Sequence, residues 1–462
     1  MDLAGRRVLV AGAGVTGRSV VTALAGLGAR VAVTDGNAGR LAELDGLGAT
    51  LEPGLDVPPE GTDLVVTSPG WRPTAPLLTA AAEAGVEVIG DVELAWRIGQ
   101  SLDDPPAWLA VTGTNGKTTT VGMLESILKA AGVDAVACGN VGHAVLDAVR
   151  GGHRALAVEL SSFQLHWSST LAPAASVVLN LAEDHLDWHG GMAGYAEAKG
   201  TIHDRSAVVV HNLTDEWSTR LADGHAPAGA HRVAFGFDTP RPGELGVVED
   251  LLVDRAFVAD PARSADELGT LSDVRPAGPH NVGNALAAAA LARAYGVPAE
   301  AVGAGLRSFT PGAHRAVPVA DVGGVRYVND SKATNPHAAA GSVLAHESVV
   351  WIAGGVLKGA AVDDLVARVA GRLRGVVLLG VDSPVIAAAV ARHAPDVPVK
   401  QVLSGDDEPM TTAVGMASDL ARPGDAVVLA PAAASLDMFR DYGHRGDAFT
   451  AAVHDLERKA RS

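Results

Sequence analysis

The ten residues Val111-Thr-Gly-Thr-Asn-Gly-Lys117-Thr-Thr-Thr120 constrain this chain more than any other stretch. Trp108 to Val111 reads as a buried strand and Val121 to Ala131 as an amphipathic helix, so the glycines sit where a strand turns into a helix. In that setting glycine-freed backbone N–H groups point at a phosphate held at the helix start. Lys117 then neutralises terminal phosphates, and Thr118 or Thr119 offers a hydroxyl to magnesium. The spacing Gly113-x-x-Gly116-Lys117-Thr118 is two residues shorter than the usual phosphate loop, but glycine, lysine and hydroxyls follow in the order its chemistry needs.

Short β-branched runs alternate with Ala/Leu-rich helical patterns along the whole chain, which predicts an α/β fold of parallel sheets flanked by helices. Strands are expected at Arg7–Val10, Arg30–Thr34, Leu64–Val66 and Val86–Ile89, then at Ala155–Val158, Ser176–Leu179 and Ala207–Val210. A third set is expected at Val325–Val328, Val349–Ala353, Gly375–Leu379 and Ala426–Leu429. At 462 residues, and about 150 residues per domain, three domains are expected: 1–94, 95–298 and 299–462. Ser101-Leu-Asp-Asp-Pro-Pro106 reads as a linker, and the Pro- and Gly-rich stretch Phe237–Gly246 as a surface excursion.

The formal charge of −17 has the wrong sign for a protein that grips nucleic acid over a broad face. Anionic ligands must be met locally, by helix N-termini and individual basic residues. The one cysteine, Cys138, excludes an internal disulfide, suits a reducing cytoplasm and reads as a small buried residue. No stretch reaches the ~18 apolar residues of a membrane span, and no secretion signal is visible, so a cytoplasmic protein is expected.

Ligands of open parallel sheets bind outside the carboxyl ends of the strands, and polar residues recur there. Glu159, Asn180 and Asn329-Asp330 each end a strand, and Gly354-Gly355 and Pro431 follow two more. Glu159, Ser161-Ser162 and Glu183-Asp184-His185 supply groups that can surround magnesium; oxygen is its preferred donor, so His185 reads equally as a residue that orients a carboxylate or substrate. By its pattern alone, Tyr195-Ala-Glu-Ala-Lys199 is an ordinary helix with a solvated lysine. At the N-terminus, Gly12-Ala-Gly14-Val-Thr-Gly17 follows a strand and precedes Asp35, the complete dinucleotide fingerprint, which taken alone predicts NAD or NADP. The same geometry receives any diphosphate, and Ser68-Pro-Gly70 adds a second phosphate-facing turn.

In this order, and spanning Gly12 to Phe449, the motifs resemble the Mur ligases of peptidoglycan synthesis. The specific ones are Gly113-Thr-Asn-Gly-Lys-Thr-Thr119, Glu159-Leu-Ser-Ser-Phe-Gln-Leu165, Glu183-Asp-His185 and His280-Asn281-Val-Gly-Asn284. Asn329-Asp-Ser-Lys-Ala-Thr-Asn335, Pro431-Ala-Ala-Ala-Ser435-Leu-Asp437-Met-Phe439 and Arg445-Gly446-Asp447 complete the set. The Asn329–Asn335 string and the glycine-rich opening point within that family to the branch that adds D-glutamate.

The resemblance implies a Rossmann-like first domain, a central ATPase-like sheet domain and a Rossmann-like last domain. It implies that Val15, Thr16, Asp35, Ser68 and Gly70 line a site for the uridine diphosphate of UDP-N-acetylmuramoyl-L-alanine, with Asn140 and His185 reaching that substrate. Gly113, Thr114, Asn115, Gly116, Lys117, Thr118 and Thr119 would hold ATP phosphates, and Asn281, Arg315 and Asp330 the rest of the nucleotide. Mg2+ would be held by Thr118, Glu159, His185 and a carbamylated Lys199; Lys117, Glu159, His185 and Lys199 would be the catalytic set. Thr334, Lys358, Ser435 and Tyr442 would hold D-glutamate. Two departures stand out: Val356-Leu357 where an acidic residue is expected, and Tyr442 where phenylalanine is common.

On this reading a monomeric enzyme uses ATP to turn a substrate carboxylate into an acyl phosphate, which the amine of D-glutamate attacks. His185 or a carboxylate would accept the proton. The rivals are an NAD-dependent oxidoreductase, which leaves the Gly113–Thr119 loop without a task, a folylpolyglutamate-type ligase, which lacks the opening fingerprint, and a non-catalytic nucleotide sensor.

Overall fold

The computed structural model describes residues 1–403 and 405–461. Among these the strands form three sheets, and the chain divides into two compact units. The first comprises Met1–Asp273 and Gly283–Phe309, and the second comprises Val274–Val282 and the residues from Thr310 onward. No helix is long and apolar enough to cross a membrane among the described residues.

Arg7–Ala11, Arg30–Thr34, Ala49–Leu51, Leu64–Thr67 and Glu87–Gly90 make an all-parallel five-stranded sheet in the order 3-2-1-4-5. Its order reverses between Arg7–Ala11 and Leu64–Thr67, so the Gly12 and Ser68 turns open side by side at the switch point where such folds bind ligands. The nine-stranded sheet of the same unit has Ala107–Thr112 near its middle, flanked in parallel by Ala155–Glu159 and Ala175–Val178. Chain direction reverses here too, which brings the Gly113 loop, Glu159 and Asn180 to one crevice. In the second unit, Val317–Val322 pairs antiparallel with Val325–Asn329, and the latter continues in parallel through Ala426–Leu429, Val349–Gly354, Leu373–Leu379 and Val399–Gln401.

Every strand expected from the sequence overlaps an observed one. The Phe237–Gly246 stretch differs from its reading as a surface excursion. Glu244–Val248 pairs in parallel with His231–Phe235 and opens an antiparallel extension through Leu251–Asp254 and Asp266–Thr270. The helix Ala299–Ser308 belongs to the first unit, so that unit ends at Phe309 rather than near residue 298. It packs on Lys117–Ala130, where Ser126 Oγ donates to the Gly305 carbonyl at 2.7 Å.

One hydrophobic cluster runs through both sheets of the first unit, from Val8, Val20 and Leu24 through Val92, Leu94 and Trp108 to Leu146 and Leu165. Trp96 meets Trp108 edge to face at 5.4 Å across the Ser101–Pro106 segment. The polar fastener of this joint is Glu93, whose side chain is fully buried. Its carboxylate accepts from Ser169 N at 2.9 Å, Thr170 N at 3.0 Å and Thr170 Oγ1 at 2.6 Å, and pairs with Arg97 Nε at 2.7 Å. Burial works to raise its pKa, but the hydrogen bonds from Thr170, Arg97 and Ser169 outweigh it and hold the carboxyl below its usual value.

A carboxylate depressed in the folded state adds stability above its unfolded pKa and loses it as pH falls through the folded one. Glu93→Ala leaves the amides of Ser169 and Thr170 without their acceptor and takes one of two carboxylate partners from Arg97. It is expected to destabilise the first unit by about 3 kcal/mol at neutral pH, with a smaller difference from wild type below pH 4. Urea denaturation at both pH values checks this; equal differences at both would refute the role given to the charge.

Candidate active site

Ala107–Thr112 delivers the phosphate loop, and the helix Lys117–Ala130 starts at Lys117 itself, so the lysine and both threonines lie in its first turn. No side chain caps this N-terminus, and its cap is Gly116 in the left-handed region at φ 88°. A Cβ on Gly116 would collide with the amide of Asn284, so glycine is required there on two counts. The loop is clamped from the end of the strand Ala175–Val178. Asn180 accepts from Asn115 N at 2.9 Å and donates back to Asn115 O at 3.1 Å, and its own carbonyl accepts from Thr114 N at 2.9 Å. The Thr114 hydroxyl exchanges hydrogen bonds with the Ala182 backbone and meets the Tyr195 hydroxyl at 3.1 Å.

Lys117 Nζ donates to the carbonyls of Gly113 and Thr114, both at 2.8 Å. Thr118 Oγ1 donates to Glu159 Oε2 at 2.7 Å, and Asn140 Nδ2 donates to Glu159 Oε1 at 3.0 Å. Glu159 is buried at the end of its strand.

Lys199 departs from its pattern-based reading as a solvated lysine, because the helix Met192–Gly200 packs against its neighbours on that face and leaves it buried. Its Nζ donates to Gly113 O at 2.9 Å and to Thr112 Oγ1 at 3.2 Å, above the Tyr195 ring. Burial, followed by the charge of Lys117, pushes its pKa well below the ordinary lysine value, while Asp184 and Glu159 pull the other way. The chain thus places two amines on one carbonyl oxygen and disfavours the charged form of the buried one.

His185 lies in the left-handed region at φ 53° and begins the short helix Leu186–His189. Its ring sits edge-on to Phe163 at 4.8 Å, and Nε2 is 3.6 Å from Asp184 Oδ2. Next to it, burial and then the neighbouring His166, Lys199 and His185 lower His189 to about 4. The donor chemistry at the loop suits a hard cation, with a hydroxyl and a carboxylate oxygen 2.7 Å apart. Among the described residues no three His, Cys, Asp or Glu side chains gather as a metal cage. Cys138 is buried, and burial pushes its thiol up to about 12, which leaves it inert at neutral pH.

At the five-stranded sheet, Val15 is exposed and Thr16 half-buried in the first turn of Val15–Gly26, whose N-cap is Gly14. Ser68 N donates to Ala11 O at 2.9 Å, which holds the Ser68–Gly70 turn beside the glycine turn. Asp35 accepts from Ala13 N and Asn37 N, both at 2.8 Å, so both carboxylate oxygens brace the backbone of this cleft. Arg72, just beyond Gly70, pairs with Asp187 at 2.6 Å next to His185.

The second unit holds Asn281, Arg315, Asp330, Thr334, Lys358, Ser435 and Tyr442. Asp330 accepts from Ala316 N at 3.2 Å; desolvation pushes its carboxyl up to about 6 despite that bond and the charge of Arg315. Lys332 Nζ stands 3.9 Å over the Tyr442 ring, and Ser331 Oγ donates to Tyr442 O at 2.7 Å. Arg445, which is buried, donates to Ser331 O at 2.9 Å, Ser331 Oγ at 3.0 Å and Ala433 O at 3.1 Å, tying together two strand ends and the helix Tyr442–Arg461. At the Val356-Leu357 departure, Val356 pairs with Ala434, and Leu357 N donates to Asp382 Oδ2 at 2.7 Å. Thr112, Tyr195, Asn284 and Arg445 stand within motifs that the sequence offers without showing their contacts, and no motif marks Asp382. Asn180 was legible only as a polar strand end.

A model of the Mur ligase middle domain matches residues 111–292. The UDP-N-acetylmuramoylalanine–D-glutamate ligase of Thermobifida fusca is 57% identical, over 99% of this chain and 100% of its own length. The enzyme of the same name from Streptomyces coelicolor is 56% identical over 98% of this chain and 99% of its own. Among solved structures, the UDP-N-acetylmuramate–alanine ligase of Thermotoga maritima aligns with a TM-score of 0.59 at 18% identity, covering 98% of this chain and 99% of that one. That likeness speaks to the fold alone.

Asn180→Ala removes both side-chain bonds across the phosphate loop. ATP affinity measured by calorimetry is expected to fall about tenfold, the equivalent of one or two neutral hydrogen bonds. Unchanged affinity would show that Thr114 alone holds the loop.

Proposed function

The chain belongs to the Mur ligases, and from that premise we propose that it joins D-glutamate to UDP-N-acetylmuramoyl-L-alanine with ATP, releasing ADP and phosphate. Two D-glutamate ligases more than 50% identical over nearly the whole chain support the substrate and the amino acid. The observation that carries the chemistry is the convergence of Lys117, Thr118, Glu159 and Lys199 on one loop at the switch point of the nine-stranded sheet.

In this reading residues 1–94 bind the uridine diphosphate, residues 95–298 bind the ATP phosphates, and residues 299–462 bind D-glutamate and the rest of the nucleotide. A carboxylate is a poor electrophile, so the substrate oxygen first attacks the terminal phosphorus, ADP leaves, and an acyl phosphate remains. Lys117 and the amides of the first helical turn offset charge on the transferring group. Thr118 and Glu159 would hold Mg2+, which would supply further neutralisation of phosphate charge. The neutral amine of D-glutamate then adds to the acyl carbon, loses a proton to His185 or a carboxylate, and phosphate departs as the amide forms. Thr334, Lys358, Ser435 and Tyr442 hold the amino acid, and Asn281, Arg315 and Asp330 the nucleoside side of ATP.

Lys199 has a separate part. A buried amine whose uncharged form is favoured by desolvation can add to carbon dioxide, forming an N–C bond and releasing a proton to solvent, and the product is an anion where an amine stood. That anion complements both Lys117 and the cation held by Thr118 and Glu159. The reaction draws on ATP and a nucleotide sugar inside the cell, and one polypeptide carries the whole set, which fits a cytoplasmic monomer. The dinucleotide rival is disfavoured because it leaves the Gly113–Thr119 loop, with Lys117, Thr118 and Glu159 gathered on it, without a task.

The direct test is phosphate release from ATP with UDP-N-acetylmuramoyl-L-alanine against a panel of amino acids; release with an L-amino acid and none with D-glutamate would end this reading. Lys117→Ala is expected to lower phosphate release by at least about 10² while UDP-sugar affinity stays near wild type; joint loss would contradict separate sites. Lys199→Ala is expected to lose activity and regain part of it in short-chain carboxylates, which replace the missing anion. Absence of rescue in a folded variant would argue for a purely structural lysine.

A further inference from the structure

Gly12 is the first glycine of the N-terminal turn, at φ 113°, and the space a Cβ would take there is occupied from the neighbouring Ser68–Trp71 turn. Ser68 Oγ fills one side, and Trp71 Nε1 lies 3.3 Å from the same point. The indole body is half-buried against Leu9, Ala11, Val65, Leu77 and Leu78, and the backbone is pinned by Trp71 N donating to Ser68 O at 3.2 Å. Packing therefore fixes the ring with its one polar atom at the glycine turn. Among the described residues this N–H has no acceptor. A tryptophan N–H in a packed site normally finds a partner, and at a position open to the cleft that partner must come from water or a ligand.

We propose that Trp71 is a binding residue of the uridine diphosphate site, donating its indole N–H to a diphosphate oxygen of the nucleotide sugar beside the Ser68 hydroxyl. This rests on the reading of the first ninety-four residues as the UDP site. The chemistry favours phosphate over a base or sugar contact, because the donor stands at the turn whose free amides face an anion. Asp35, from the end of the next strand, accepts from Ala13 N of that turn and its charge opposes a diphosphate, so neutral donors fixed by packing add affinity there. Arg72, the adjacent cation, is engaged by Asp187. Trp71 is accordingly a recognition residue with no part in phosphoryl transfer.

The test is Trp71→Phe in the full chain, which keeps the apolar body and deletes the donor. The dissociation constant for UDP, read by calorimetry, is expected to rise about five- to tenfold, the loss of one hydrogen bond, with KM for the nucleotide sugar rising in parallel. ATP affinity, kcat and the melting temperature are expected to stay at wild-type values. In wild-type protein labelled with 15N-tryptophan, the indole resonance that disappears in Trp71→Phe is expected to shift on adding UDP and not on adding ATP. If wild type binds UDP but the variant binds it equally well and that resonance stays in place, the assignment of Trp71 is overturned while the UDP site stands. If wild type does not bind UDP at all, the reading of the first domain falls and takes this proposal with it.

Discussion

Two lysine amines share the carbonyl oxygen of Gly113, and much of the active site follows from what that proximity forces. Burial, and after it the charge of Lys117, depresses the Lys199 amine well below the ordinary lysine value, while Lys117 lies along the loop carbonyls. The rest of the crevice is built to hold this arrangement. Thr112, itself donating to Leu160 O at 2.7 Å, accepts from Lys199; Tyr195 lies beneath the amine and bonds Thr114; Asn180 returns the loop to the sheet. Glu159 meanwhile stays fixed by Thr118 and Asn140, an oxygen donor ready for a hard cation.

The second unit solves a related problem by a different device. Its strand ends must present the polar clusters around Asn329–Asn335 and Pro431–Ser435 in register, and it uses the buried guanidinium of Arg445 on carbonyls and a hydroxyl. Burial lowers this group to about 10, still far enough above neutrality to keep it a cation. Asn329 serves the same joint, donating to Gly446 O at 2.8 Å and Thr450 Oγ1 at 3.0 Å. In both units the atoms that face substrates rest on a layer of buried polar groups whose bonds are internal.

What was legible in the sequence was what local physics dictates. Strands such as Val349–Gly354, buried on both faces, read as apolar runs, and the glycine turns announced their own geometry. Partly exposed strands such as Glu244–Val248 and the edge strand Val399–Gln401 were harder, because they carry no continuous apolar signal. The Gly113–Thr119 loop and Glu159 were visible as motifs, but the burial of Lys199 was not, since it depends on Thr112 and Tyr195 arriving from distant positions. The approach of Asp382 to Leu357 N is likewise a matter of tertiary placement that no local pattern carries.

The hydrophobic cluster that runs unbroken from Val8 to Leu165 bears on how this enzyme could have been assembled from parts. A front sheet whose apolar side chains, Trp96 contact and Glu93 fastener are shared with the sheet behind it is no detachable cartridge. Excised, it would present the mating face of a core to water. Grafting a different five-stranded sheet onto the nine-stranded one therefore means rewriting the seam as well as the loops, so recombination at the Ser101–Pro106 segment alone would be a poor route to a folded chimera.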